Sequence, residues 1–387
     1  MGFGGGSPAP PTALGRYRPL SKHASIHASP LVLGGMSIGD TWQALGMGAM
    51  DKTSSFKYLD AFYEAGGNFI DTANNYQNET SEKFIGEWME QRGNREQMVI
   101  ATKYTFNAKL ADPSIKFKVT YHGNNAKSMR INLENSLKNL RMAYVDIFYV
   151  HVWDFETSIK EVMDNLHNLV VAGKVLYLGI SDTPAWVVSQ ANQYAIDSGK
   201  TPFAVYQGSW NVMDRAFERE IIPMAREHGM ALCAWNVLAS GKLRSDAEEA
   251  RREQSGEQGR DLKLDNNGWK RTEIEKRMSN ALEKVAGEVG VGDNVPAVAI
   301  AYLLHKAPYV FPMVGGRKPE HLVKNIEGLT ISLSPAQIAY LESIVPFEPG
   351  FPHNIVGNGS TTLPMLAMVA QVDRAPLPAP ILPQPRN

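Results

Sequence analysis

Four polar side chains stand near the ends of short apolar runs, and their types suit proton transfer to an oxygen. They are Asp71, Tyr76, Lys103 and His151. An acid, a phenol, an ammonium and an imidazole in one place can supply a proton and stabilise a developing negative charge. Each alone also has a structural explanation, as a helix cap, a surface side chain or a hydrogen-bonded core histidine. Whether they act together depends on the elements that carry them.

Those elements follow an alternating pattern. Eight short runs rich in Val, Ile, Leu and Phe alternate with stretches of helical periodicity, and residues 159–170 and 274–285 each show one apolar stripe. Mostly apolar runs are typical of parallel strands that helices cover on both faces. The eight predicted strands are residues 31–35, 68–73, 98–103, 145–152, 175–181, 203–209, 230–238 and 310–315.

The alternation predicts an α/β protein, a closed (β/α)8 TIM barrel. A doubly wound open sheet is the alternative, but no G-x-G-x-x-G motif follows the first predicted strand to mark a dinucleotide-binding turn. In a barrel the C-terminal ends of the strands meet at one mouth. Asp71, Lys103 and His151 lie at the ends of the second, third and fourth predicted strands, so we expect them to converge there with Tyr76.

Two segments fall outside the repeat. Residues 245–267 are charged and lack an apolar period, which predicts a long loop after the seventh strand. Beyond about Val345 the chain becomes Pro-rich, which predicts an extended tail across the surface. We therefore expect a barrel domain over residues 1–345 and a C-terminal tail over residues 346–387.

Composition excludes several classes of function. With 39 basic and 40 acidic side chains in 387 residues, no strong field favours nucleic acid or an anionic membrane, so a small molecule is the expected partner. The single cysteine, Cys233, cannot form an intrachain disulfide and indicates a reducing compartment. Neither a signal peptide nor a run approaching ~20 apolar residues is evident, and we expect a cytoplasmic protein. The oligomeric state is left open, a homo-oligomer included.

The spacing of the four candidates is specific. The pattern Asp71-x-Ala73-x-x-Tyr76, followed by Lys103 and His151, resembles the catalytic tetrad of the aldo-keto reductase superfamily. The resemblance implies hydride transfer from NADPH to a carbonyl, with Tyr76 as the proton donor. Lys103 would lower the pKa of the Tyr76 phenol as a neighbouring positive charge. Asp71 would hold and balance Lys103, and His151 would point a ring N–H at the carbonyl oxygen.

The similarity extends over roughly residues 16–345, and residues 16–20 resemble the start of the hairpin that closes the barrel bottom in that family. It also implies contacts for the nicotinamide. Ser181 and Asp182 stand where the family commonly has Ser-Asn against the carboxamide, although an aspartate cannot donate to the amide oxygen and a helix cap is the alternative for this pair. Gln207 matches the glutamine for the same group, and Trp235 matches the aromatic on which the ring stacks. Further predicted contacts are Gly35, Met36, Asp71, Asn236, Leu238 and Ser240.

The segment after the eighth strand matches the one that binds the adenosine 2'-phosphate and adenine in that family. Glycines let the backbone approach an anion, and basic side chains at a helix N-terminus complement a phosphate, which favours NADPH over NADH. A solvated basic turn is the alternative. His321 departs from the Arg or Gln usual in relatives. The predicted contacts are Gly315, Arg317, Lys318, His321, Lys324 and Asn325.

Aromatic residues predict the substrate class. Trp42 and Trp153 would line the mouth beside Tyr76 and suit planar aromatic carbonyls, although scattered Trp also fits ordinary packing. Residues 33–37, 181–186 and 349–354 resemble the fungal aryl-alcohol dehydrogenases and norsolorinic acid reductases. That subgroup implies benzylic aldehydes or a polyketide anthraquinone ketone of mycotoxin biosynthesis, a secondary metabolism. No metal site is predicted.

Two other functions use similar barrels. A strand-end lysine such as Lys103 could form a Schiff base with a carbonyl substrate, as aldolases do. The aldo-keto-like β-subunits of potassium channels bind NADPH and serve mainly as partners or redox sensors. Turnover of a carbonyl substrate with NADPH would separate an enzyme from both.

Overall fold

The structure is a computed structural model and describes residues 7–46, 49–256 and 268–383. Two antiparallel strands open the chain, β1 (Arg18–Ser21) and β2 (Ala24–Ala28). Eight parallel strands then close into a barrel, with the last strand pairing with the first, and this confirms the predicted (β/α)8 fold. The barrel strands are β3 (Val32–Gly34), β4 (Phe69–Asp71), β5 (Val99–Tyr104), β6 (Val145–Val150), β7 (Val175–Ser181), β8 (Phe203–Ser209), β9 (Ala231–Trp235) and β10 (Val310–Val314).

Helices surround the barrel and connect its strands. They are α1 (Lys52–Glu64), α2 (Thr80–Arg92), α3 (Ala126–Asn139), α4 (Ile159–Val171), α5 (Ala185–Asp197), α6 (Phe217–Glu227), α7 (Asp246–Ser255), α8 (Glu273–Glu288), α9 (Val295–Leu304), α10 (Pro319–Glu327), α11 (Pro335–Ile344), α12 (His353–Val356) and α13 (Pro364–Ala367). Short 3-10 turns occur at Ala13–Gly15, Gly35–Ser37, Gln43–Leu45, Arg95–Gln97, Val119–Tyr121, Ala239–Gly241 and Gly328–Thr330. None of the helices in the described ranges is long and apolar enough to cross a bilayer.

The two predicted apolar stripes lie on α4 and α8. Val162, Met163 and Leu166 of α4 are buried, as are Met278 and Leu282 of α8. The stripe on α8 starts later than predicted, since Ile274 in the first turn is 40% exposed. Both helices therefore bury one apolar face against the barrel core, as the periodicity indicated.

The hairpin of β1 and β2 closes the bottom of the barrel. Leu20, Ala24 and Ala28 of the hairpin pack in one cluster with inward-facing strand residues such as Phe69 and Phe311. These two phenyl rings meet edge to face, with centroids 6.2 Å apart. The predicted hairpin is therefore present, and its apolar side chains pack under the barrel, away from the C-terminal ends of the strands.

The predicted loop over residues 245–267 is wrong in its first half, which forms α7. Ser245 caps this helix by accepting from the Glu248 backbone N–H, and acidic side chains in the first turn favour a helix N-terminus. Glu249, buried at the centre of the segment, binds Arg244 and Arg271. Ion pairs thus hold this helix in place, and it lacks the apolar face by which a helix is predicted from sequence. Residues 257–267 lie outside the described part of the chain.

Beyond α11 the tail is largely irregular and exposed, as predicted, but two single helical turns, α12 and α13, interrupt it. The Arg219 side chain on α6 holds the start of the tail. It donates to the carbonyl oxygens of Pro349, at 2.6 Å, and of Glu348, at 3.1 Å. The tail therefore runs over α6.

Candidate active site

Neighbouring strand ends bring the acid and the ammonium together. In the register of the sheet, Asp71 of β4 lies beside Ala101 of β5, two residues before Lys103. Both side chains are fully buried, and Lys103 Nζ forms an ion pair with Asp71 Oδ1. The same ammonium donates to the backbone oxygen of Thr72 at 2.7 Å.

Tyr76 and His151 complete the group. The Lys103 ammonium lies 5.0 Å from the centre of the Tyr76 ring. The ring of His151, after β6, meets the Tyr76 ring edge to face with centroids 5.8 Å apart. All four predicted side chains thus lie at one mouth, and partial exposure of Tyr76 leaves room for a ligand.

Burial governs the ionisation of this group. Burial raises the pKa of the Tyr76 phenol, while the Lys103 ammonium opposes that rise. The Lys103 ammonium therefore lowers the pKa of Tyr76, as predicted. The pKa is nevertheless raised overall, because removal of water outweighs this charge. Burial disfavours the Lys103 ammonium, but Asp71 and Tyr76 outweigh it and raise the pKa of Lys103 above its usual value. Since a Schiff base needs a neutral amine, the aldolase alternative loses support.

The surroundings of His151 favour the neutral form of its imidazole. Burial, with the Lys103 charge, lowers its pKa well below the usual value. Its backbone N–H donates to Tyr104 O at 3.2 Å and its buried Nδ1 has no hydrogen-bond partner within the described part of the chain. A neutral ring carries one N–H, which can donate to a carbonyl oxygen. The site thus presents a phenol and an imidazole, both uncharged, beside a fixed ammonium.

The predicted nicotinamide residues line the far side of the mouth. Ser181 is buried at the end of β7, and its hydroxyl lies close enough to the Asp182 carboxyl to lower the pKa of that group. Gln207 does not point freely into the mouth, because its Nε2 donates to Asp71 Oδ2 at 3.0 Å. That amide therefore holds the Asp71 carboxylate, and the Gln207 oxygen remains an acceptor for a carboxamide.

Trp235 and Asp182 form a pair at this wall. Trp235 is 37% exposed at the end of β9, so one indole face is open to a stacking partner. Its Nε1 donates to Asp182 Oδ1 at 3.1 Å. Asp182 does not cap α5, whose N-cap residue is Pro184. It adopts a left-handed φ of 43° and, although exposed to the mouth, has its pKa raised to about 6 by partial burial.

The remaining predicted nicotinamide contacts lie around the same opening. Gly35 is buried against β4, where a Cβ atom would lie 3.0 Å from Asp71 O and from Ser81 Oγ, so any larger residue would be crowded there. The Met36 backbone oxygen is already bound by a side chain of the next loop. After Trp235 the chain makes a turn in which Asn236 has a φ of 61°, and Asn236 binds Ser240 Oγ at 3.2 Å. Leu238, between them, packs partly buried against the core.

The predicted phosphate segment lies at the start of α10. Gly315, Arg317 and Lys318 are exposed, and Lys318 is the N-cap residue, so the basic side chains flank the N-terminus of the helix. Asn325 is buried, and its Nδ2 lacks a partner within the described ranges. Basic groups, backbone N–H groups and an unpaired amide fit an adenosine phosphate.

Helix α7 approaches this segment. Burial raises the pKa of the Glu248 carboxyl, but Arg252 lowers it overall, with a contribution from His321 and Lys324 on α10. The part of the predicted loop that proves helical thus lies beside the candidate phosphate site.

The model of the aldo/keto reductase family matches residues 30–346. The chain belongs to this family. It is 57% identical to the aryl-alcohol dehydrogenase [NADP(+)] of Phanerodontia chrysosporium over 380 residues, 98% of each chain. It is 52% identical to the aldo-keto reductase ausK of Emericella nidulans, over 91% of this chain and 87% of that one. It is 47% identical to the norsolorinic acid reductase of Aspergillus flavus, over 90% and 86% of the two chains.

The side of the mouth where the sequence predicts the substrate of this aldo/keto reductase is aromatic. Trp42 meets the Tyr76 ring edge to face, with centroids 6.2 Å apart, as its predicted place at the mouth requires. Trp153, two residues after His151, is partly buried and packs against the main core. Phe106 was not predicted, yet its ring lies 4.7 Å from that of His151. It follows the end of β5, so the criterion that selected the two tryptophans would have found it.

Gln77 and Asn78 were also missed in this reductase. Gln77 is fully buried and binds the loop that carries Trp42. No sequence signal indicated the contacts of Gln77 and Asn78, because polar residues are common in loops and their spacing does not predict which loop they bind. Among the described residues, no group of three His, Cys, Asp or Glu side chains could hold a metal ion.

Proposed function

We propose that this chain reduces an aldehyde or ketone with NADPH, reversibly, and that its substrates are aromatic or polyketide carbonyl compounds. The observation that carries this proposal is the cluster of Asp71, Tyr76, Lys103 and His151 at the mouth of the barrel. The names of the relatives, an NADP(+)-linked aryl-alcohol dehydrogenase and a norsolorinic acid reductase, support the aromatic class.

Tyr76 is the proton donor. NADPH would supply the hydride when bound, and the carbonyl oxygen would then gain negative charge that a nearby O–H can neutralise. The buried phenol stays protonated until that charge develops, since burial raises its pKa. The Lys103 ammonium, 5.0 Å from the ring centre, stabilises the phenolate that remains.

His151 orients the carbonyl and Asp71 fixes Lys103. A neutral imidazole donates a ring N–H to the oxygen without adding a second positive charge beside Lys103. Asp71 keeps Lys103 charged and directed at Tyr76, and its second oxygen is held by Gln207. In the reverse direction the phenolate accepts the proton of the alcohol.

The residues around the mouth fit NADPH. Ser181 and the Gln207 oxygen would bind the carboxamide, and Trp235 would stack on the nicotinamide ring. Arg317 and Lys318 would bind the 2'-phosphate, which NADH lacks. Glycine at position 35 lets this turn pack closely against Asp71. We also propose a reducing, cytoplasmic compartment, because the one cysteine, Cys233, is a buried free thiol.

The test is turnover by the purified chain. Benzaldehydes, aryl ketones and anthraquinones would be screened with NADPH, following the loss of reduced-nicotinamide absorbance, and an aliphatic aldehyde would serve as comparison. We expect reduction with a preference for the aromatic compounds. Tight NADPH binding without any turnover would overturn the proposal in favour of a regulatory module like the potassium-channel β-subunits. Trapping of substrate on Lys103 by borohydride would instead favour the Schiff-base chemistry.

A further inference from the structure

Three successive residues after Tyr76 adopt a left-handed backbone. The φ angles of Gln77, Asn78 and Glu79 are 51°, 50° and 74°. L-residues rarely adopt this region, and a run of three requires side-chain contacts that hold it. The side-chain contacts of this turn, residues 77–79, therefore indicate its structural role.

Gln77 binds the loop between β3 and α1 at two points. Its Nε2 donates to Met36 O at 3.0 Å, and its Oε1 accepts from the Trp42 backbone N–H at 2.8 Å. The side chain is fully buried. Gly39 lies so close that a Cβ atom there would be 2.7 Å from Gln77 Cβ. Because both ends of the amide are used on backbone groups, Gln77 fixes the course of this loop.

Asn78 binds the indole of Trp42 itself. Its Oδ1 accepts from Trp42 Nε1 at 3.2 Å. The indole then meets the Tyr76 ring edge to face. The turn that follows the proton donor thus orients the aromatic residue beside that donor.

Glu79 binds the loop after β5, on the other side of the turn from the loop that carries Trp42. Lys109, in the loop after β5, donates to both of its carboxylate oxygens at 2.7 and 2.8 Å. The turn is therefore anchored independently of Trp42. The Glu79–Lys109 pair holds its strained backbone in place, and with it the positions of Gln77 and Asn78.

We propose that Gln77 and Asn78 are positioning residues that determine substrate specificity, by holding Trp42 as one wall of the pocket for planar aromatic carbonyl compounds. The inference rests on the proposed function for its substrate class. It assigns the selection of the aromatic ring to two polar residues that act through Trp42. Proton transfer itself stays with Tyr76.

Matched variants at position 78 separate the indole contact from the backbone. Asn78→Gly tolerates the left-handed φ but removes the acceptor, whereas Asn78→Asp keeps the acceptor in a residue that also tolerates this φ. We expect Asn78→Gly to raise KM for a benzaldehyde roughly two- to tenfold, as loss of one hydrogen bond implies. Asn78→Asp should retain the wild-type KM, and kcat should change little in either variant.

A double-variant cycle tests whether the effect acts through Trp42. In a Trp42→Phe background the indole N–H is absent, so Asn78→Gly should no longer change KM for the benzaldehyde. The KM for a short aliphatic aldehyde, which does not need the wall, should be the same in the wild type and in Asn78→Gly. An equal effect of Asn78→Gly in both backgrounds, or on both aldehydes, would overturn the proposal.

Gln77 is tested without turnover. Gln77→Met removes both hydrogen bonds at similar size, and hydrogen exchange of the backbone amides in residues 36–46 should then become faster. Unchanged exchange there would refute the role of Gln77 as a positioning residue. A wild-type chain that reduces neither aldehyde would defeat the proposed function instead, while the exchange result would still judge Gln77.

Discussion

The Gln207 side-chain amide donates to Asp71 Oδ2 over 3.0 Å, across 136 residues of sequence. Asp71 Oδ1 is paired with Lys103, so both oxygens of one buried carboxylate are used. β8 thereby fixes the acid on β4, and that acid fixes the ammonium on β5. The position of Lys103 beside Tyr76 depends on this chain of contacts.

Replacing one member of the buried Asp71–Lys103 pair should lower the free energy of unfolding strongly. Replacing both members together should lower it less than the sum of the two single changes. Lys103→Met leaves the Asp71 carboxylate buried without its cation, which implies a loss of about 3–5 kcal/mol in the free energy of unfolding. Asp71→Asn should also destabilise. The double variant should be more stable than the sum of the two effects predicts, yet inactive. Urea unfolding followed by circular dichroism measures this.

An exposed pair provides the control. Lys52 and Glu87 lie 2.9 Å apart with the lysine half exposed, so Lys52→Met should cost about 1 kcal/mol or less. Strictly additive effects of Asp71→Asn and Lys103→Met would show that the two side chains do not form a stabilising unit.

Tyr76→Phe should abolish most turnover. The variant keeps the ring that Trp42 and His151 contact and removes only the O–H, so kcat should fall about 10²- to 10⁴-fold. NADPH affinity and Tm should stay close to wild type. Tyr63→Phe is the matched control, since that hydroxyl donates to Gln97 on the surface. Wild-type turnover in Tyr76→Phe would assign the proton to another group.

Strand ends were readable from the sequence because buried parallel strands leave continuous apolar runs. Asp71, Lys103 and His151 followed from those runs, and Trp42 and Trp235 from their places beside the mouth. The Gln207–Asp71 contact was not readable, because it joins side chains on strands far apart in sequence and depends on rotamers.

Two other features were beyond the sequence for physical reasons. The helix α7 is stabilised by a cap and by ion pairs around Glu249, and neither produces an apolar period. The net pKa of Tyr76 depends on how completely the folded mouth excludes water, which no spacing records. Neighbouring charges could be predicted, but the extent of burial could not.

Asp182 should titrate near Trp235 at a higher pH than an ordinary aspartate. Burial raises its pKa to about 6, so its carboxyl binds a proton in the folded chain over a range where an unfolded one has lost it. That proton favours the folded state below the ordinary pKa, and its contribution is lost as pH rises through about 6. Because Asp182 is exposed to the mouth, the effect on stability should be small, and fluorescence is the better readout.

The measurement is tryptophan fluorescence of the free chain against pH. We expect a step with its midpoint above the ordinary aspartate pKa and near pH 6, caused by loss of the carboxylate that accepts from Trp235 Nε1. Asp182→Asn should remove the step. Trp235→Phe should remove it as well, and persistence of the step in either variant would assign it to another group.

The basic turn at α10 should select the phosphorylated cofactor. Replacing Arg317 and Lys318 with alanine removes two charge-assisted contacts, so Kd for NADPH should rise about tenfold or more while Kd for NADH changes little. Fluorescence titration with each nucleotide gives both constants. Lys83→Ala with Lys138→Ala, on the exposed faces of α2 and α3, controls for loss of positive charge. Equal weakening of NADPH and NADH would place the phosphate elsewhere.

The hairpin of β1 and β2 closes one end of the barrel, so ligands can reach it only at the other end. Leu20, Ala24 and Ala28 pack against the inward-facing strand residues at the N-terminal end of the barrel, so a ligand cannot enter from that end. A dinucleotide and a carbonyl compound would then use one entrance, the mouth at which Tyr76 lies.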